Sequence, residues 1–254
     1  MLLRIQDRIL LSLALLEDLF EDLTDAGGLA SFSYRQIYGF VPPRYKKSNF
    51  YAGLSYALKT GNIERVIKNG RPYLRLTGQG KRKIVRDFPL FSFQERRWDG
   101  WWRMVPYDIK EIKRWQRDEL RARLYQLGFR PLQKSIYLSP HPIEEEMNDF
   151  LRAIRLEGKV LVLLCRKILG VDNKELARQL WQLDRLNKKY KDLLTKIEEA
   201  KKEEELRKIK IEYLELLRMD PFLPKTLLPK NWMGERVREK IRKVLSRGPR
   251  IMGL

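Results

Sequence analysis

Asn49 stands in the stretch Tyr45-Lys46-Lys47-Ser48-Asn49-Phe50-Tyr51, where an amide, a hydroxyl and two ammonium groups sit side by side. An asparagine amide can pair bidentately with the edge of adenine. Lysines beside it can hold phosphates, so the cluster has the chemistry of duplex readout, and Arg44 precedes it. A second basic group, Lys68, Asn69 and Arg71, surrounds an Asn-Gly pair, and a third is Lys81-Arg82-Lys83. Phosphate contacts from such groups position a protein without specifying a sequence.

The residues that could do catalysis are few. Metal-assisted phosphodiester cleavage needs clustered oxygen ligands. Asp108 is the candidate Mg2+ ligand, with Asp99 and Glu111 near it in sequence but not evidently on one face. One aspartate per chain supplies a pair only across a two-fold axis. The plainer reading of Asp108 is the N-cap of a helix beginning near Lys110. The chain has one histidine and one cysteine, which cannot by themselves make a tetrahedral zinc site. His141, in Ser139-Pro140-His141-Pro142, reads as a turn residue, and Cys165, after an apolar run, as a small buried hydrophobe. Gly78-Gln79-Gly80 follows a strand and is a weak phosphate signal. There is no Walker loop, Ser-His-Asp set or paired-histidine motif. No catalytic residue and no cofactor is therefore expected, with Mg2+ at Asp108 as the alternative.

Charge points the same way. In 254 residues, 53 Lys+Arg face 33 Asp+Glu, a formal charge of +20. Such an excess favours polyanionic partners. It is concentrated: residues 34–86 carry thirteen Lys/Arg and one acid, Glu64. A single cysteine excludes a disulfide framework and fits a reducing compartment. The apolar N-terminal run, 9–16, is short and flanked by Asp7, Glu17 and Asp18, which reads as an amphipathic helix rather than a signal peptide. No stretch is long enough to span a bilayer, and a cytoplasmic protein is expected.

The elements that must position these residues follow from periodicity. Residues 1 to about 25 repeat at helical spacing through Leu3, Ile9, Leu10, Leu13, Leu16 and Phe20, and Gly27-Gly28 ends the helix. Ser33 caps a short helix over 34–40, and Pro42-Pro43 breaks it. A helix over about 47–59 follows, with Phe50, Leu54, Tyr56 and Leu58 assigned to its core side. "IERVIKNGRPYLRL", residues 63–76, alternates on both sides of Asn69-Gly70, a hairpin signature. Thr77 caps a basic helix reaching Arg86. Helix, helix, turn, helix and hairpin in this order predict a winged helix-turn-helix, with the third helix for recognition and the hairpin as a basic wing.

Beyond a linker at 88–90, strand, helix, strand, helix and strand are expected at 102–109, 111–127, 132–138, 143–156 and 159–165. That is one strand fewer than a ferredoxin-like unit needs. Trp115 is counted on the buried side of its helix. Residues 173–217 read as helical throughout. A seam of Leu186, Tyr190, Leu193, Ile197 and Ala200 is lost near 201–205 and resumes at Leu206, which predicts a helical pair or a bent helix. A last helix covers about 233–245. The fold class is thus α+β and multidomain: a winged helix-turn-helix over 1–88, a ferredoxin-like dimerisation domain over 98–170, and a helical C-terminal domain over 173–254.

Several of these segments carry recognisable patterns. Trp98-Asp99-Gly100 with Trp102-Arg103, Asp108, Arg117, Leu120-Arg121, Leu127-Gly128-Phe129, Leu132-Gln133 and Ser139-Pro140 resemble the PaaX family of phenylacetate-catabolism repressors. Trp181, Leu183 and Tyr190 resemble that family's Trp-x-Leu helix. Its C-terminal signature is similar to Asp220-Pro221, Leu223-Pro224, Leu227-Leu228-Pro229, Trp232 and Gly234. The resemblance implies a dimeric winged-helix repressor on double-stranded DNA, released by an acyl-CoA thioester. Trp98, Trp101, Trp102 and Trp115 could stack an aromatic acyl group, although packing is their plainer use. The middle segment also resembles the small ferredoxin-like CRISPR-associated nucleases through Tyr107-Asp108-Ile109, Arg117, Arg121, Gly128, Gln133 and Ser135. That resemblance implies a divalent metal held by Asp108 at a dimer axis.

Three functions stand: a dimeric regulator, favoured; a metal-dependent nuclease using Asp108; and a structural nucleic-acid-binding partner. For the regulator, the residues expected on DNA are Arg44, Tyr45, Lys46, Lys47, Ser48, Asn49 and Tyr51 on the recognition helix, Lys68, Asn69 and Arg71 on the wing, and Lys81, Arg82 and Lys83.

Overall fold

A computed structural model of the chain describes residues 3–20, 37–68, 71–93, 96–107 and 113–246. The elements in chain order begin with α1 (Ile5–Phe20), α2 (Lys47–Lys59), β1 (Ile63–Lys68), β2 (Arg71–Leu76) and α3 (Gly78–Asp87). Next come β3 (Trp102–Pro106), α4 (Arg114–Gln126), β4 (Arg130–Gln133), β5 (Ile136–Ser139), α5 (Glu144–Ala153) and β6 (Leu163–Cys165). The chain closes with α6 (Asn173–Leu180), α7 (Leu183–Glu199), α8 (Glu203–Met219) and α9 (Gly234–Ser246). They form two compact units. One gathers Met1–Asp87, Leu186–Met219 and Met233–Leu254; the other gathers Phe88–Arg185 and Asp220–Trp232.

In the first unit α1 is the centre. Ile9, Leu10, Leu11, Leu13 and Leu15 are all buried, so the middle of the helix is covered on nearly every side. It packs against α2, β2, α3, α8 and α9. Its one buried hydroxyl, Ser12, donates to the Arg8 carbonyl at 2.7 Å. Arg8 is fully buried as well; its guanidinium donates to the Phe40 carbonyl at 3.2 Å and pairs with Glu215 of α8. Arg207, also on α8, donates to the Val41 carbonyl at 2.9 Å and stacks on Tyr38 at 4.5 Å. The turn that leads into α2 is thus held by a helix from the far end of the sequence. The expected helical pair is present as α7 and α8. Lys196 meets Glu212 at 2.8 Å and Lys189 meets Met219 at 3.7 Å, so the two run antiparallel. The seam residues Tyr190, Leu193, Ile209 and Tyr213 are buried.

In the second unit the strands order as β4-β5-β3-β6, all antiparallel. With α4 and α5 in the connections this is the ferredoxin-like topology. The missing strand is explained: the single strand expected over 132–138 is two, β4 and β5, joined through Lys134 and Ser135, with an irregularity between Pro131 and Gln133. A continuous β-rich run hid a tight turn that carries neither Gly nor Asn.

Alternation then sends side chains to both sheet faces. Val105, Tyr107 and Tyr137 join Leu120, Leu124, Phe129, Met147 and Leu151 beneath α4 and α5. Trp102 and Leu138 join Leu176, Trp181, Leu183, Leu223 and Leu227 on the other side. Trp115, expected to be buried, is 58% exposed; the inward face of α4 is set by Leu120 and Leu124. The helical run from 173 also breaks once more than expected, at Gln182, whose φ is 49°. Its first piece, α6, is capped by Asp172, which accepts the N–H groups of Lys174 and Glu175. The residues expected as one C-terminal helical domain divide between the two units.

Candidate nucleic-acid interface

Helix α2 has two distinct faces. Phe50, Gly53, Leu54 and Ala57 are buried, and Gly53 faces Ile5 and Ile9 of α1 so closely that a Cβ there would lie 3.1 Å from Ile5. Lys46, Lys47, Ser48, Asn49, Tyr51, Ala52, Ser55, Tyr56 and Lys59 are exposed. Tyr56, assigned to the core from sequence, is 52% exposed. Its position explains this: i, i+4 and i+7 from Phe50 reach Leu54 and Ala57, whereas Tyr56 falls with Ser48, Ala52 and Ser55 on the opposite side. Helical phase was the signal that could have found it. Tyr51 is 50% exposed, its ring edge-on to Phe50 at 5.4 Å. The Lys47 ammonium lies 6.0 Å from the Tyr51 ring and Arg44 lies 5.3 Å from Tyr45. Tyr45 is half-buried and its hydroxyl donates to the Leu3 carbonyl at 3.3 Å, which anchors the approach to the helix.

The hairpin is in register from Ile63↔Leu76 to Lys68↔Arg71. Asn69, expected at its tip, lies outside the described residues. Ile63, Leu74 and Leu76 are buried at its base, and Arg65 and Ile67 are exposed farther out, Ile67 at 77%. Arg75 is paired with Glu64 at 2.7 Å, so the one acid of this basic segment is neutralised within the hairpin.

Helix α3 is locked to the end of α2. The Thr77 hydroxyl donates to the Gly61 carbonyl at 2.5 Å and accepts the Gly80 N–H at 3.0 Å, the N-cap role read from sequence. Gln79 donates to the Thr60 carbonyl at 3.1 Å. A Cβ at Gly80 would lie 2.0 Å from the Asn62 carbonyl oxygen. Gly80 thus allows close helix–turn packing rather than cradling a phosphate. Lys81 and Arg82 are exposed; Lys83 is half-buried and its ammonium pairs with Asp87 at 2.6 Å. Burial raises the Asp87 carboxyl, but hydrogen bonds from Arg86 and Lys83 outweigh this and hold it below its usual range.

In the second unit Asp99, Arg103 and His141 are tied up in structure. Arg103 is buried and bridges Asp99 at 2.5 Å and Glu144 at 2.8 Å, with further donation to the Trp101 carbonyl at 3.0 Å. Burial raises the Asp99 carboxyl, yet the Arg103 bonds and the Trp101 N–H hold it below the usual range. His141 is buried rather than on an open turn. It stacks on Phe93 at 4.8 Å, and its Nε2–H donates to the Pro221 carbonyl at 2.8 Å. Cys165 is half-exposed on β6, not buried, with Sγ 3.1 Å from the Lys167 carbonyl. Trp102 is fully buried and its indole N–H donates to Asn173 at 3.0 Å; Trp101 lies under Arg166 at 4.7 Å. Asp108 and Glu111 lie outside the described residues, and helix α4 begins at Arg114 with Lys113 before it. Tyr107, next to Asp108, accepts from Arg121 at 3.2 Å and stacks on Tyr137. Burial, then the bond with Tyr107, pushes the Tyr137 phenol up to about 12. Among the described residues no three His, Cys, Asp or Glu side chains group to hold a metal ion.

Two family models match the chain. Residues 95–177 match the PaaX protein central Cas2-like domain and residues 181–248 the PaaX-like protein C-terminal domain; together they cover more than half of the chain.

The chain belongs to the PaaX family. PaaX proteins are transcriptional regulators rather than typical enzymes. A solved structure, the uncharacterized protein Rv0674 from Mycobacterium tuberculosis, is similar over 92% of this chain and 94% of its own, with a TM-score of 0.59 and 19% identity, a likeness of fold. No curated protein matches. Among the described residues no helix is long and apolar enough to cross a membrane. In this PaaX-family chain, the Trp-Asp-Gly-x-x-Arg pattern is the Asp99–Arg103 pair. The Leu-Gly-Phe pattern ends α4: Gly128 has φ 83°, its N–H donates to the Tyr125 carbonyl, the Phe129 N–H donates to the Leu124 carbonyl, and the Gly128 carbonyl accepts the Trp181 indole N–H at 3.1 Å.

Proposed function

We propose that this PaaX-family chain is a sequence-selective double-stranded DNA-binding repressor that acts in the cytoplasm as a homodimer. Residues 1–88 then carry a winged helix-turn-helix, with α2 in the major groove and the β1–β2 hairpin as wing. The observation that supports this reading is the exposed, acid-free face of α2, opening on Lys46 and Lys47 and braced against the hairpin and α3 through Thr77, Gln79 and Gly80. Arg44, Lys68, Arg71, Lys81 and Arg82 supply phosphate contacts around it, while Lys83, held by Asp87, contributes less.

One further feature supports the dimer. Strand β6 is one edge of the sheet, and Leu163 and Leu164 on it, with Leu161 just before it, are 45%, 51% and 56% exposed. An uncharged, unpaired edge in so charged a chain is self-complementary across a two-fold axis, so the partner is a second copy. Leu164→Glu should then give monomers by sedimentation. Release of DNA by an acyl-CoA thioester follows the family resemblance.

The test is fluorescence anisotropy on DNA upstream of the chain's own gene, against scrambled DNA, across salt, with and without acyl-CoA and magnesium. Selective binding of intact DNA is expected. Asn49→Ala should remove roughly 1–3 kcal/mol of selectivity, and Arg71→Ala should weaken all sequences alike and lower the salt slope by about one. Equal affinity for every sequence rejects the operator reading. Magnesium-dependent cleavage lost in Asp108→Ala replaces it with the nuclease.

A further inference from the structure

The outward stripe of α2 is chemically one-sided. At 3.6 residues per turn, Ser48, Ala52, Ser55 and Tyr56 fall within an arc of about 100°, with Asn49 at its margin. All five are exposed, opposite the buried Phe50, Leu54 and Ala57. The charged residues of the helix, Lys47 and Lys59, occupy its ends: Lys59 shares the outward arc only at the last residue, and Lys47 leans over Tyr51 at the flank. The helix, Lys-Ser-Asn-Phe-Tyr-Ala-Gly-Leu-Ser-Tyr-Ala-Leu-Lys, holds no arginine, aspartate, glutamate or glutamine.

Base edges discriminate by chemistry. Guanine is read by the bidentate donation of Arg or Lys, cytosine by a carboxylate, adenine by the amide of Asn or Gln, and thymine by apolar contact with its methyl group. The outward side of α2 offers an amide at Asn49, a methyl at Ala52, a ring at Tyr56, and serine hydroxyls that suit any base. Ser48, Ala52 and Ser55 are also small, so the helix backbone can approach the groove floor. Resting on the DNA-binding reading above, we infer that α2 reads A·T base pairs, with Ala52 and Tyr56 against thymine methyls and Asn49 on adenine. Tyr56 is then a specificity-determining residue.

The test begins with selection of duplexes from a random pool by the full chain. The selected duplex is then remade with deoxyuridine for thymidine, which removes only the methyl groups. Selected sites should be A·T-rich at their fixed positions. The uracil duplex should bind roughly fourfold more weakly for each contacted methyl. Tyr56→Ala, a change at an exposed side chain, should shrink the thymine-to-uracil ratio toward one. Sites fixed by G·C pairs, equal binding of thymine and uracil duplexes, or a ratio unmoved by Tyr56→Ala overturn the inference and leave the regulator standing. A pool with no enrichment overturns both.

Discussion

At the scale of single residues, His141 shows how a polar group is made structural. Buried against Phe93 and facing the Arg103 and Arg96 charges, its imidazole is pushed down to about 4; burial is the largest cause, and the bond to the Pro221 carbonyl only partly opposes it. A carbonyl can only accept, so the neutral ring carries its proton on Nε2. The folded pKa is below the unfolded value, so the neutral ring's contribution is complete above about pH 6.5. It is lost as pH falls from there toward 4, a loss of roughly 3 kcal/mol in all. Urea unfolding of the native chain at pH 7 and pH 5 should show the fall. His141→Gln, whose amide can still donate to Pro221, should flatten it; an unchanged slope in that variant would assign the pH dependence elsewhere. Nothing in Ser-Pro-His-Pro announced this burial, because the partners, Phe93 and Pro221, are remote in sequence.

At the scale of elements, the junction of α2, hairpin and α3 turns on Gly80. An alanine in an exposed helix interior would stabilise by about 1 kcal/mol relative to glycine. Here its Cβ would meet a backbone carbonyl at 2.0 Å, so Gly80→Ala should instead destabilise by about 1–2 kcal/mol. Thermal melting decides the sign, and a raised melting temperature would reject the packing described. The ends of α2 and the pairing of the hairpin were legible from sequence, because Lys47–Lys59 and the two strands carry strong local periodicity and an Asn-Gly between them. The split of one run into β4 and β5 was not, since Lys134-Ser135 is not a turn signature. Nor was the outward Tyr56: an aromatic counts as core by type, and only its phase on the helix shows otherwise.

At the scale of the whole molecule, the first unit is assembled from three stretches of chain. Helix α1 needs α8 and α9 as cover, and Arg8 needs Glu215. Removing one partner of a buried ion pair costs about 3–5 kcal/mol. A fragment of residues 1–88 lacks both cover and partner. It should therefore show no cooperative unfolding by circular dichroism, whereas the full chain does; a sharp transition in the fragment would show that α1 is self-sufficient. Sequence could give each helix its apolar face but not the face's partner, because an apolar face carries no address.

The Arg8–Glu215 pair spans 207 residues. On a ribosome adding about 5–20 residues per second, that separation is roughly 10 to 40 s. For that interval Ile9, Leu10, Leu11 and Leu13 have been synthesised and their cover has not. The middle of the chain, including its ferredoxin-like sheet, emerges before α8 and can begin to close while α1 waits. Helices made later complete the unit that α1 belongs to, so a nascent chain cut short ahead of α8 carries the proposed reading helix without the support that holds it in place.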